Sequence, residues 1–459
     1  MIPGKHEELV IARALVNVIL KFLTATGDLQ SAERSTEIYE LLAKRSPDAF
    51  EPRLATALYN LGVSYSELRK PHEALKPARR AAEIYERLAK QNTEAFEPCL
   101  ATSLHGLGIV YAQMGKPEEA LTSARQAVGI LERLAKQNPC TFEPDLADSL
   151  NNLSLRYSEM GKRKEALGAA RQAVEIRERL VKQNADTFEP DLADSLDNLS
   201  LRYSEMECRD DALESARRAV EIYQRLEEQN ANTFGPDLAD SLNNLSLCYS
   251  DLGRLDEALE AAERTVEIRE RMANQDADTF GPVLADSLDR LANVYWWLGR
   301  LGEALKAAER ALKVRQRMAK QDPSYFDVGL AVSLNSLASV YWGLGNLERS
   351  QGLAEHAVEV LDWLAKQDPN TFEPRLAAGL RAVGTIYQGG NPMEAADAFR
   401  RAVVTLRRLF LLQPKVHSRQ MTELQQDYLH SCKLSGQEPD PELLAPIGEA
   451  LQSAARLAV

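Results

Sequence analysis

Apolar residues recur every three to four positions along almost the whole chain. Between Phe142 and Thr187, Leu146, Leu150, Leu153 and Tyr157 form one stripe, and Ala166, Ala170, Ala173, Ile176 and Leu180 form a second. That spacing is the period of one helix face, so the segment predicts two amphipathic helices. The pair then returns: Phe50, Phe96, Phe142, Phe188, Phe234, Phe280, Phe326 and Phe372 lie 46 residues apart. A fixed period of this length marks a stacked repeat array, in which each unit buries its apolar face only against its neighbours. The predicted fold is all-α, an α-solenoid of helix-turn-helix repeats.

Local chemistry refines the unit. Pro144 is expected in the first turn of the first helix, with Phe142 folding back as a hydrophobic staple. Gly161 is expected to end that helix in a left-handed cap, and the Asn184 to Thr187 segment to form the turn into the next repeat. After short turns the period leaves about 17 residues for the first helix and about 20 for the second, which should project beyond it. Ala166, Ala170 and Ala173 allow close helix approach. The outer face pairs Arg171 with Glu175, Glu175 with Arg179 and Glu178 with Lys182 at i,i+4, a solvated ridge rather than a site.

The ends depart from the pattern. Residues 1–49 read as a degenerate N-terminal capping repeat, 50–415 as eight repeats and 416–459 as a C-terminal helical cap. Leu9 to Leu23 is the most apolar stretch, but Arg13 and Lys21 interrupt it and it is shorter than the roughly 20 residues that span a bilayer. It is expected to be a buried helix of the cap.

Composition narrows the classes of partner. A formal net charge of −13 opposes binding to nucleic acid or anionic membranes, because both rest on Lys and Arg meeting phosphate. Five scattered cysteines without a Cys-x-x-Cys pair support neither a disulfide framework nor a zinc site, and reduced thiols point to the cytoplasm. No histidine pair has metal-ligand spacing, no phosphate-binding loop is present, and no nucleophile stands beside a base. The chain is therefore expected not to be an enzyme and to need no cofactor.

With these positions in hand the chain resembles tetratricopeptide repeats, whose Leu, Leu-small, Tyr, Ala, Ala pattern is met by Leu150, Leu153, Ser154, Tyr157, Ala166 and Ala173, and by Leu61-Gly62 with Tyr65 and Leu107-Gly108 with Tyr111. The resemblance covers nearly the whole chain and implies a right-handed solenoid. Within the family, the Leu-Asn-Asn-Leu-Ser string looks most like kinesin light chains, nephrocystin-like proteins and the repeat arms of signalling ATPases. Kinesin light chains have a shorter period and an N-terminal coiled coil, neither of which this sequence shows, so the resemblance is to the module.

In such arrays the first helices line a concave groove, where equivalent positions form columns. One column runs Asn60, Gly106, Asn152, Asn198, Asn244, Arg290, Ser336 and Ala382, and its neighbour Tyr59, His105, Asn151, Asp197, Asn243, Asp289, Asn335 and Arg381. Asparagine is a mediocre helix former, so its recurrence needs a reason. An amide can donate to and accept from a peptide main chain, and the resemblance implies that role for Asn60, Asn152, Asn198 and Asn244. Bonding between adjacent helices, or inheritance by duplication, explains them as well: the units starting at Phe142 and Phe188 share about 33 of 46 residues. Asp148, Asp194, Asp240 and Asp286 form an acidic column that suits either a basic ligand or the helix dipole.

Toward the C-terminal end Trp296, Trp297 and Trp342 replace Ser158 and Glu159 of earlier repeats and are candidate anchors. Trp363 is expected in the core. The predicted function is an adaptor or scaffold that grips an extended peptide. The alternatives are a regulatory or sensor subunit packing against a folded effector, through a ridge around Arg177 or Tyr223, and a structural spacer. Oligomeric state is left open.

Overall fold

The computed structural model describes residues 29–321 and 328–456. The expected cap helix over Leu9 to Leu23, and Phe326, lie outside the described residues. Contacts divide the chain into two compact units, Met1–Gln183 and Asn184–Val459.

The first unit contains α1 (Leu29–Arg45), α2 (Pro47–Glu67), α3 (Pro71–Gln91), α4 (Thr93–Gln113), α5 (Pro117–Gln137), α6 (Pro139–Glu159) and α7 (Arg163–Val181). The second contains α8 (Ala185–Glu205), α9 (Arg209–Gln229), α10 (Ala231–Asp251), α11 (Leu255–Gln275), α12 (Ala277–Trp297), α13 (Leu301–Gln321), α14 (Val328–Gly343), α15 (Leu347–Gln367), α16 (Pro369–Gln388), α17 (Pro392–Leu412), α18 (Pro414–Ser435) and α19 (Pro441–Arg456). Within each unit every helix packs on the one before and the one after it. First helices also touch first helices: α2 meets α4 and α4 meets α6, while in the second unit α8 meets α10, α12 meets α14 and α14 meets α16. This consecutive packing, all helix among the described residues, is the solenoid arrangement the sequence predicts.

The helix boundaries correct the local reading. First helices begin at the residue after Asn92, Asn138, Asn184, Asn230 or Asp276, each of which alone separates two helices or follows a short turn. Side-chain oxygens of Asn92, Asn184, Asn230 and Asp276 accept backbone N–H bonds from Ala95, Thr187, Thr233 and Thr279 at 3.1 to 3.3 Å, which satisfies orphan donors of the first turn. The segment from Ala185 to Thr187 is therefore helix rather than turn. Phe142 stands one turn inside α6, and Pro144 lies beyond the first turn. The first helix gains a turn and matches the second: α6 has 21 residues and α7 has 19, so the second does not outreach it.

The inner face is as predicted, with Ala166, Ala170 and Ala173 completely buried beside Leu150 and Leu153. Small residues in the first helices permit this approach. A Cβ at Gly62 would lie 3.2 Å from that of Ala78, and in the later repeats Ser200 and Ser246 occupy the position and donate to the carbonyls of Ala212 and Ala258 at 2.9 and 2.8 Å.

Gly115, Gly161, Gly253, Gly299 and Gly345 end first helices with φ between +66° and +77°. Arg69 and Glu207 hold the same left-handed backbone, with φ of +55° and +61°, where a Cβ is unfavourable. Glu207→Gly is expected to stabilise the second unit by about 1 kcal/mol, read as a higher denaturant midpoint at unchanged m-value.

Candidate functional site

The two columns of the first helices are joined to each other across repeats. In the first unit His105 on α4 lies 3.4 Å from Ser149 Oγ through Nδ1 and 3.4 Å from Asn152 Nδ2 through Nε2, both on α6. As a neutral ring, His105 donates through one nitrogen and accepts at the other, and so joins both side chains. Burial lowers the pKa of His105 and keeps this neutral form. One repeat earlier, Tyr59 lies over Gly106, where an added Cβ would come within 2.9 Å of its ring.

The second unit uses the same geometry with carboxylates. Ser241 and Asn244 on α10 both donate to Asp197 on α8. Ser333 on α14 donates to Asp289 on α12 at 2.5 Å, joined by Ser336. Each carboxyl keeps one oxygen, Oδ1, sealed from solvent without a partner, and burial pushes both groups up to about 7. The column ends in Arg381 on α16, which bonds Asp427 and Glu423 of α18 at 2.6 Å each. This column thus staples α4 to α6 in the first unit, and α8 to α10, α12 to α14 and α16 to α18 in the second.

Asn152 and Asn244 are therefore engaged inside the stack, the structural use that the sequence left open beside peptide contact. Asn60, Asn151, Asn198, Asn243, Arg290 and Asn335 are half-buried on the same helices. Sequence reasoning missed the serines of the staple. Their signal was present, since Ser103, Ser149, Ser195, Ser241, Ser287 and Ser333 recur at the repeat spacing.

The acidic column also faces its own repeat. Asp148, Asp240 and Asp286, each exposed, accept bonds from Arg177, Arg269 and Arg315, which the second helices bury, and Asp194 accepts from the Tyr223 hydroxyl. Arg177 and Tyr223 are only 1% exposed, so the outer ridge expected around them does not exist. Arg179 reaches Glu143 on the first helix at 2.7 Å, a bond between helices, and along its own helix it meets the carbonyl rather than the carboxylate of Glu175. Asp148→Ala would leave the Arg177 guanidinium buried without its carboxylate and is expected to cost about 1–3 kcal/mol, measurable by thermal melting.

The tryptophans converge. Trp296 and Trp297 of α12 and Trp342 of α14 line one cavity of about 270 Å³ with Asn293, Asn335, Ser339, Ala382, Thr385 and Ile386, spanning three consecutive first helices. Trp297 is 51% and Trp342 39% exposed, whereas Trp296 packs against the core. No charged side chain lines the cavity. Trp363 on α15, expected in the core, is 48% exposed; it occupies the position held by Arg87, Arg133, Arg179, Arg225, Arg271 and Arg317 elsewhere, a surface position of the second helix.

Sequence models of the tetratricopeptide repeat match residues 54–93, 100–139, 146–185, 192–230 and 238–276, and a second such model matches 283–362, together more than half of the chain. The chain belongs to the tetratricopeptide-repeat family. Arrays of this family are protein-interaction scaffolds, typically without enzymatic activity, and imply protein partners. Among solved structures, the apo form of RapI is 15% identical with a TM-score of 0.52, covering 83% of this chain and 98% of its own. Aspartyl phosphate phosphatase F from Bacillus subtilis, also 15% identical at a TM-score of 0.52, covers 85% and 91%. A putative kinesin light chain of Podosopora anserina is 23% identical over 48% of this chain and 96% of its own, with a TM-score of 0.36. The first two show the shared repeat fold. No curated protein matches the sequence. Among the described residues no helix is long and apolar enough to cross a membrane.

Proposed function

We propose that this tetratricopeptide-repeat chain is a non-enzymatic adaptor that holds an extended segment of a partner protein along the first helices of its second unit. Trp296, Trp297 and Trp342 form the apolar anchor, and the half-buried amides of Asn198, Asn243 and Asn335 supply polar contacts. Asn60 and Asn151 offer the same contacts on the first unit. The observation that carries the reading is the cavity walled by three of the four tryptophans in the chain. Exposed aromatic side chains around a concavity are where interface energy concentrates.

A second reading, a regulatory subunit packed against a folded effector, draws on Trp363, which leaves a large apolar surface on a second helix. The partners retained by the full chain decide between them when wild type is compared with Trp297→Ala combined with Trp342→Ala, and with Trp363→Arg. The anchor reading expects the double variant to weaken a retained partner about 100-fold or more, with stability within about 1 kcal/mol because both rings are already exposed. Loss of partners only on Trp363→Arg supports the effector reading instead.

A further inference from the structure

In three consecutive repeats of the second unit an arginine stands over the tyrosine near the end of the first helix, and in the next repeat it is missing. Arg254 lies 4.8 Å from the ring centre of Tyr249, Arg300 4.8 Å from that of Tyr295 and Arg349 5.4 Å from that of Tyr341. The hydroxyls of Tyr295 and Tyr341 donate to Glu263 and Glu309 of the preceding second helix, so each of these tyrosines joins a carboxylate to a guanidinium. Tyr387 repeats the carboxylate half, donating to Glu355. The arginine of the other repeats comes from the start of the following second helix, either the residue before it, as in Arg254 and Arg300, or its third residue, as in Arg349. In α17 those two positions hold Asn391 and Glu394. A carboxylate thus stands where a cation belongs.

The result is a groove between α15 and α17, floored by α16, with a cavity of about 340 Å³ walled by Glu355, Glu359, Glu394, Asp397, Arg401 and Tyr387. Four carboxylates face one guanidinium, and all five charged side chains are exposed. The hydrogen bond to Glu355, burial, and the charges of Glu355 and Glu394 push the Tyr387 hydroxyl up to about 12, which places both carboxylates beside it. Among the described residues these carboxylates do not group into a metal-ion site.

We propose that this groove docks an arginine side chain of a partner protein, its guanidinium over the Tyr387 ring and held by Glu355 and Glu394. The partner supplies in trans the group that Arg300 and Arg349 supply within the chain. A planar guanidinium suits both contacts at once, stacking on an aromatic face while donating parallel hydrogen bonds to a carboxylate. Its aliphatic stem packs on Leu380 and Val383 of the floor. A lysine ammonium meets the charge but not the plane. Glu359 and Asp397 widen the field that draws in a basic segment, and the exposed Trp363 stands one turn from Glu359 on the same face of α15, adding an apolar border. The groove shares no lining residue with the tryptophan cavity, so it does not depend on a segment held there.

The test uses the full chain at low ionic strength and capped dodecapeptides carrying a neutral dye, uncharged except for a central Arg, Lys or citrulline, with affinity read from anisotropy. Arg is expected to bind about fivefold to thirtyfold more tightly than citrulline, its neutral isostere, and about threefold more tightly than Lys. Glu355→Gln combined with Glu394→Gln should remove the preference for Arg over citrulline. Glu394→Arg, which puts a cation at the helix position that Arg349 holds one repeat earlier, should remove it too without lowering the melting temperature, and so guards against misfolding of the first variant. Glu309→Gln takes a carboxylate from the equivalent place one repeat earlier, which Arg349 already fills, and should leave the preference unchanged. Equal binding of the Arg and citrulline peptides, or no binding of the Arg peptide at millimolar concentration, overturns the proposal. A preference that Glu394→Arg leaves intact, or that Glu309→Gln weakens as much as the paired Glu355→Gln and Glu394→Gln, shows general attraction to an acidic surface and overturns it as well. Equal binding of the Arg and Lys peptides overturns the selection of arginine.

Discussion

The double substitution Asp197→Asn, Asp289→Asn is expected to stabilise the second unit by about 2–5 kcal/mol at pH 8 and to change it by less than about 1 kcal/mol near pH 3.5. Both carboxyls lie between neighbouring first helices, where burial raises them from the usual 3.8 to about 7. Between those two values the folded state holds protons that the unfolded chain has released, so stability falls as pH rises through this window and the penalty is complete above it. A shift of three pH units corresponds to about 4 kcal/mol per group, which relaxation of the helices reduces, and for Asp289 the nearby Arg315 offsets part of it. Asparagine is neutral at every pH, accepts from Ser241 or Ser333 in the same way, and already stands in this column at Asn151, Asn243 and Asn335. Parallel denaturant titrations of wild type and variant across pH 3.5 to 8 measure the difference. Equal stabilities at pH 8 would show that the carboxylates are solvated and the staple open.

Leu334→Ala is expected to destabilise the second unit by about 2–5 kcal/mol at any pH. Leu334 is 1% exposed and belongs to a core that includes Leu288 and Leu291 of α12, Leu330 and Leu337 of α14, Leu361 of α15 and Leu380 of α16. It thus bridges one repeat to the next. In a stacked array stability is close to a sum of repeat terms and nearest-neighbour interfaces, so a cavity at this point weakens two interfaces together. The contrast with Trp297 is sharp: both are large apolar residues of first helices, yet truncating the tryptophan should affect binding and leave the melt nearly unchanged. Calorimetric melting of the two variants side by side measures the difference, and a Trp297→Ala variant that melts like Leu334→Ala would place that ring in the core.

The candidate site was legible in uneven parts. Trp296, Trp297 and Trp342 stood out because they break a column that earlier repeats fill with small or acidic residues, and the structure brings them to one cavity. The asparagine columns were equally visible, but their partners were not. A helical period states which residues share a face, whereas whether Asn152 meets a ligand or His105 depends on the offset between adjacent first helices, which no single helix encodes. The same ambiguity hid the acidic column: Asp148 and Arg177 are 29 residues apart and meet only when the second helix folds back on the first. Arg177 and Tyr223 looked like surface residues because they are polar and interrupt an apolar stripe, yet a carboxylate and a carbonyl across the repeat allow both to be buried. Trp363 misled in the opposite direction, since its hydrophobicity suggested the core while its position belongs to a row of exposed arginines.

What the sequence determined by itself is everything that repeats: helical class, the pairing of helices, the alanine and leucine faces, the left-handed glycines and the family. These follow from local periodicity and from backbone preferences of single residues, which act within a few positions along the chain. Only the tertiary structure decided which polar groups are consumed in holding one repeat to the next and which are left over. That difference arises because a hydrogen bond between first helices joins residues about 44 to 47 positions apart, farther than any local preference of the chain reaches.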